Sequence, residues 1–215
     1  NFESKIYNDF KLKTKINGDI SYEFFPSPRI AVNNLIINLS KNKKERIKIK
    51  KLYILVSPLN LKNLEGLKLK KILISNQKIR IYPKNLKNLF MYFTIYEKKN
   101  LKISSSEIFF LDEQKNEVVF KKFNLTDNFF KNKHKVNASA DFSENKIKIK
   151  FLNNINSEKY IKISVPNLKQ SMDIKFDSTS SLKNLSGEMK LKIFQSVLLL
   201  NFKGKEDFVI SKSYL

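Results

Sequence analysis

Few side chains in this sequence are able to do acid, base or nucleophilic work. There is one histidine, His134, and no cysteine, which removes disulfides, thiol nucleophiles, cysteine-rich zinc sites and any pair of histidines acting together. His134 stands among Lys131, Lys133 and Lys135, directly before the alternating Val136, Ala138, Ala140 and Phe142. With no acid or second ligand near it in sequence, it reads as a solvated edge or turn position. The notable carboxylates are Asp112-Glu113, Asp127 and Glu206-Asp207. Paired carboxylates can run glycoside chemistry or hold a hard cation, but adjacent residues of a strand point to opposite sides and these sit at expected turns. All five read as surface charge.

The hydroxyls offer no better case. Ser104, Ser105 and Ser106 interrupt a strand pattern, and Ser186-Gly187-Glu188 reads as a turn or strand start. Neither lies in a nucleophile elbow or beside a base, so structural roles are expected. Tyr22, Tyr53, Tyr92, Tyr96 and Tyr214 carry rings able to stack on bases, but their neighbours alternate as core residues do, and nucleic acid is not an expected partner on this pattern. The four glycines form no array that would bring backbone amides up to a phosphate. The expectation is a protein that is not an enzyme and has no cofactor and no metal.

Charge is the loudest compositional signal. Lysine and arginine number 42 against 20 acidic residues, a net charge of +22. Arg29, Arg46 and Arg80 are the only arginines, so the excess rests on hydrated, flexible lysine, ill suited to bidentate phosphate or base recognition. A solvated outer face accounts for these lysines first, attraction to an anionic membrane surface second, and a polyanion third. A bias of composition toward Lys, Asn and Ile is an equally good source of the surplus.

The elements that would carry these residues are strands. Hydrophobic residues make up 41% of the 215 residues, enough for a sizeable core. Period-two alternation marks Ile16, Gly18, Ile20, Tyr22 and Phe24. It returns in Ile147, Ile149 and Phe151, in Ile161, Ile163 and Val165, in Met172, Ile174 and Phe176, and in Met189, Leu191 and Ile193. One face is greasy and the other carries lysine. Further strands are expected over 30–39, 46–56, 67–74, 78–82, 101–111, 117–125, 134–142, 196–203 and 207–211. Pro26-Ser27-Pro28 stops the first long strand and turns the chain into the next.

Two segments break the pattern. Leu86, Leu89, Phe90, Phe93 and Tyr96 predict an amphipathic helix over 85–97 capped by Asn85. Phe2, Ile6 and Phe10 predict a weaker helix at the start. The fold class is therefore mainly β: a long, curved, largely antiparallel sheet with one or two short helices, its apolar face either left as an open groove or closed into a sandwich or barrel. No run is apolar enough to span a bilayer, the best being Val197 to Leu200. Because the chain starts on Asn1, an upstream segment is expected.

The stretch from Ile16 to Asn38, with its glycine-started strand, Pro26-Ser27-Pro28 corner and alternating second strand, resembles the opening of the AsmA family of bacterial envelope proteins. Pro58 to Ile81 is similar to the family's paired strands, and Leu101 to Leu125 follows the same strand, acidic turn, strand logic. The resemblance covers most of the chain as a single AsmA-like domain, a fragment of a longer envelope protein or a short homologue. It implies a periplasmic module, attached to the inner membrane through an upstream helix, that binds phospholipid acyl chains in an apolar β groove and contributes to phospholipid transport and outer-membrane homeostasis. Envelope proteins are the other implied partners, and a non-catalytic structural or interaction domain is the alternative.

Carried onto this chain, the resemblance makes Ile16, Ile20, Tyr22, Phe24, Ile147, Ile149, Phe151, Ile161, Ile163, Val165, Met189, Leu191 and Ile193 the inward, lipid-binding set. That assignment rests on parity, and a single bulge would flip a strand's set to the other face.

Overall fold

A computed structural model describes residues 1–38, 46–57, 66–82, 100–111, 117–130, 133–154, 159–177, 185–204 and 208–214. The predicted helix over 85–97 lies outside them, as do Asp112-Glu113 and Glu206-Asp207. Among the described residues one α-helix, α1 (Phe2–Phe10), precedes fifteen strands, and a 3-10 turn, Pro166–Leu168, interrupts them. These are β1 (Lys13–Ile16), β2 (Ile20–Glu23), β3 (Arg29–Asn38), β4 (Arg46–Val56), β5 (Leu69–Ser75), β6 (Lys78–Ile81), β7 (Asn100–Leu111) and β8 (Glu117–Phe130). They continue as β9 (Lys133–Phe142), β10 (Asn145–Asn154), β11 (Lys159–Val165), β12 (Gln170–Phe176), β13 (Leu185–Ile193), β14 (Ser196–Gly204) and β15 (Phe208–Tyr214).

The strands follow one hydrogen-bonded path, β1-β3-β4-β5-β7-β8-β9-β10-β11-β12-β13-β14-β15, with β2 also on β3 and β6 also on β7. The sheet is open and mainly antiparallel. Only β5 and β6 run parallel to their neighbour β7 among the described pairings. By compactness the chain divides into Asn1–Thr126 and Asp127–Leu215.

The first unit has a core with a lid. Asn1 caps α1 by accepting the Glu3 amide at 3.0 Å, and Lys11 ends it in the left-handed region at φ 56°. Spacing of four places Ile6 and Phe10 on one side of the helix, and both are buried in one cluster with residues of β3 and β4 that include Leu35, Ile49, Leu52 and Ile54. Two acidic side chains fix the helix over the strands. Glu3 accepts the Ile16 amide at 2.7 Å, and Asp9 accepts the Leu69 amide at 3.3 Å. An edge amide of β1 is thereby taken out of solvent.

A line of bulges crosses this sheet. The expected strand over Ile16 to Phe24 is interrupted at Asn17 to Asp19, so that β1 and β2 pair with separate halves of β3. Opposite the break, Asn34 takes φ 49°. Gly18 lies against it, and a Cβ there would sit 2.7 Å from the Asn33 carbonyl oxygen. Left-handed residues recur farther across at Asn76 (φ 54°), Ser105 (φ 48°) and Lys122 (φ 47°). Side chains stitch the line. Ser106 Oγ accepts the Gln77 amide at 3.2 Å and donates to the Ser104 carbonyl at 3.0 Å, while Gln77 Oε1 accepts the Lys50 amide at 3.1 Å. Asn124 Oδ1 accepts the Ser105 amide at 3.1 Å. Each extra residue resets the parity of its strand, so the apolar set stays on one face on both sides of the line.

Candidate functional site

Register decides which side chains of the second unit share a face, because direct cross-strand partners point the same way. Ala138, Ile149, Ile163, Met172, Leu191 and Leu198 form one row across β9 to β14. Val136, Phe151, Ile161, Ile174, Met189 and Leu200 form the next. Ile147, Val165 and Ile193 lie two residues farther along the same strands and so on the same side. All nine of the expected lipid-binding residues in this unit therefore fall on one continuous apolar face.

The remaining four lie in the first unit. Ile16 pairs with Leu35, Ile20 with Val32 and Tyr22 with Ile30, which puts them on the core face at its open edge. Phe24 stands beyond the end of β2, 72% exposed.

Burial on β11 and β12 shows what covers the nine-residue face. Every residue of β11 is half-buried regardless of parity, and so is every residue of β12 except the exposed Lys175. A strand under a second layer alternates between buried and exposed, so among the described residues this part of the sheet is one layer thick. Ile149 and Ile193 are 36% and 42% exposed. The opposite face carries Lys148, Lys150, Lys162, Lys175, Lys190 and Lys192. A cleft of about 420 Å³ lies mainly on that charged side, lined by Tyr160, Asp173, Lys175, Glu188, Lys190 and Asn201 among others. The apolar face is open at Ile149 and Ile193, whereas Val136, Ala140 and Phe151 on the same face are buried.

The cleft is organised by one carboxylate. Asp173 accepts the Tyr160 hydroxyl at 2.7 Å and pairs with Lys162 at 3.2 Å. Burial acts to raise the Asp173 pKa, but Tyr160, Lys162 and Lys190 outweigh it and hold the carboxyl below its ordinary value. The Tyr160 phenol is pushed up to about 12, by burial first and then by the carboxylate it bonds.

Glycine and aromatic residues close one end of the apolar face. Phe176 and Phe202 meet edge to face across β13 at 5.8 Å, over Gly187, their direct partner on either side. A Cβ on Gly187 would come within 2.0 Å of the Lys175 carbonyl oxygen.

The same end corrects two sequence expectations. His134 is not solvated and Asp127 is not surface charge: they are 3% and 0% exposed, and His134 Nε2 is hydrogen-bonded to Asp127 Oδ1. Seven residues separate them, too far for any local pattern to couple them, and the β8–β9 hairpin folds one against the other. Phe129 and Phe151 enclose the imidazole at 6.4 and 6.1 Å between ring centroids. Asn153 is its cross-strand partner. Asp127 Oδ2 is buried without a hydrogen-bond partner among the described residues. A carboxylate so placed orients an imidazole, but its surroundings are aromatic. The lysines flanking His134 misled because they belong to the opposite parity of β9. The one usable sign was that His134 shares the parity of Val136, Ala138 and Ala140.

Among the described residues no group of three or more histidine, aspartate or glutamate side chains is placed to hold a metal ion, and no helix is long and apolar enough to cross a membrane. Set against protein-family models, curated proteins and solved structures, the chain matches none.

Proposed function

We propose that the chain is a non-catalytic lipid-handling module whose second unit takes acyl chains on the apolar face of β9 to β14. The observation that carries this reading is the even half-burial of β11 and β12, with no second layer over Ile161, Ile163, Met172 and Ile174 among the described residues. Uncovered apolar surface on this scale calls for a partner. Acyl chains suit it because the face is apolar, aliphatic but for Phe151 in its two central rows, with no polar side chain in either. Each methylene taken from water contributes about 0.8 kcal/mol, so a two-chain lipid is held without any directional contact. Lipid leaves by exchange with a membrane. On the AsmA-like reading, the setting is the periplasm, the lipids are phospholipids and the role is transport between membranes.

The test is native mass spectrometry of protein purified without detergent, followed by lipid extraction. Bound phospholipid is expected, and Ile149→Glu or Ile163→Glu should remove most of it while the far-UV circular dichroism stays that of the wild type. A lipid-free chain that takes up none on incubation with vesicles overturns the reading and leaves a protein partner as the cover of this face. Collapse of the fold in both variants would place these residues in a sealed core and overturn it too.

A further inference from the structure

The β2–β3 corner presents two phenylalanines to solvent. Phe24 and Phe25 are 72% and 85% exposed, although phenylalanine is among the residues most often buried. Packing at the end of the sheet does not account for them. Their base is braced. Glu23 holds Arg29 at 2.6 Å and Lys51 at 3.7 Å, and Arg29 and Lys51 lie over the Tyr53 ring at 4.3 and 4.9 Å. Tyr22 meets Phe24 edge to face at 4.5 Å. Pro26 and Pro28 restrict the turn itself. A pair of rings held out this way loses little conformational entropy on binding.

The charge around the corner names the partner. Arg29 and Lys51 outnumber Glu23, and Lys71, beside Leu55 in the Arg29 row, adds another cation. Exposed aromatic rings beside a cluster of net positive charge match the interface of an anionic bilayer, where the rings enter the boundary between head groups and chains and the surplus cations meet lipid phosphate. We infer that Phe24 and Phe25 form a membrane anchor that docks the first unit on an anionic lipid surface. This docking is independent of the acyl-chain face in the second unit.

The experiment is flotation with vesicles of phosphatidylcholine alone and of phosphatidylcholine mixed with phosphatidylglycerol, using the full chain and the double variant Phe24→Ser/Phe25→Ser. Both rings are exposed, so the variant is expected to melt with the wild type. The wild type should float with the anionic vesicles, and the variant should lose at least about tenfold in partitioning. In parallel, Phe25→Trp should show a blue-shifted emission that brominated lipid quenches. Equal flotation of variant and wild type, no flotation of the wild type, or a tryptophan unaffected by vesicles would each overturn the anchor. Native mass spectrometry of Phe25→Ser alone separates the two proposals, since its lipid content should remain that of the wild type whether or not docking is lost.

Discussion

At the scale of single residues, the most consequential pair is His134 with Asp127. Removing one member of a buried pair strands the other, which costs about 3–5 kcal/mol, whereas replacing both by apolar residues of similar volume is commonly neutral. His134→Ala should therefore lower the urea midpoint strongly, and Asp127→Leu/His134→Leu should recover most of that loss. A double variant as unstable as the single one would mean that the pair stabilises the hairpin by its bond rather than merely tolerating burial. The Tyr160–Asp173 contact makes a prediction in pH. Asp173, with its lowered pKa, contributes stability that is complete above the ordinary carboxylate range and lost as pH falls through its depressed value. Tyr160, raised to about 12, contributes stability that is complete below about 10 and lost as pH climbs toward its folded value. Tyr160→Phe should cost about 1 kcal/mol at neutral pH and flatten the alkaline fall, read from urea midpoints across pH.

At the scale of elements, the line of bulges lets long strands keep one apolar face. Ser106 is the node, buried and bonded both to the Gln77 amide and to the Ser104 carbonyl. Ser106→Ala leaves two backbone groups without that partner and should cost about 2 kcal/mol, seen as a lower thermal midpoint with unchanged strand content. Gly187→Ala tests the other crowded position. With Lys175 O only 2.0 Å from the added carbon, β12 and β13 must separate, and protection of their amides from hydrogen exchange should fall while that of β3 and β4 is kept. Slippage of this kind is not visible in the alternation Met189, Leu191, Ile193, which would read the same with or without the glycine contact.

At the scale of the whole molecule, the two units solve the same problem differently. The first covers its apolar sheet face with α1 through Ile6 and Phe10. In the second, β11 and β12 have no described element over their apolar side, which is where the proposed lipid belongs. The thermal midpoint of the second unit should therefore rise when phosphatidylcholine is added to stripped protein, by mass action on the folded state, and that of the first, whose proposed anchor takes anionic lipid, should not.

Alternation along the chain was enough to find most of the strands and the separation of lysine from aliphatic side chains, because strand periodicity is a property of adjacent residues; it read Ile16 to Phe24 as one strand where the structure has two, and it did not show that β5 and β6 run parallel to β7. Strand boundaries over 46–56 and 101–111 follow directly from it. Proline at 26 and 28 likewise marked the corner. What tertiary structure alone decided depends on residues far apart in sequence. It brought Asp127 to His134, placed the bulges of neighbouring strands in line, turned Phe24 and Phe25 outward, and left β11 and β12 evenly half-buried, with no described element over them. None of these is written in any local window, since each depends on which strand arrives alongside and whether a second layer follows.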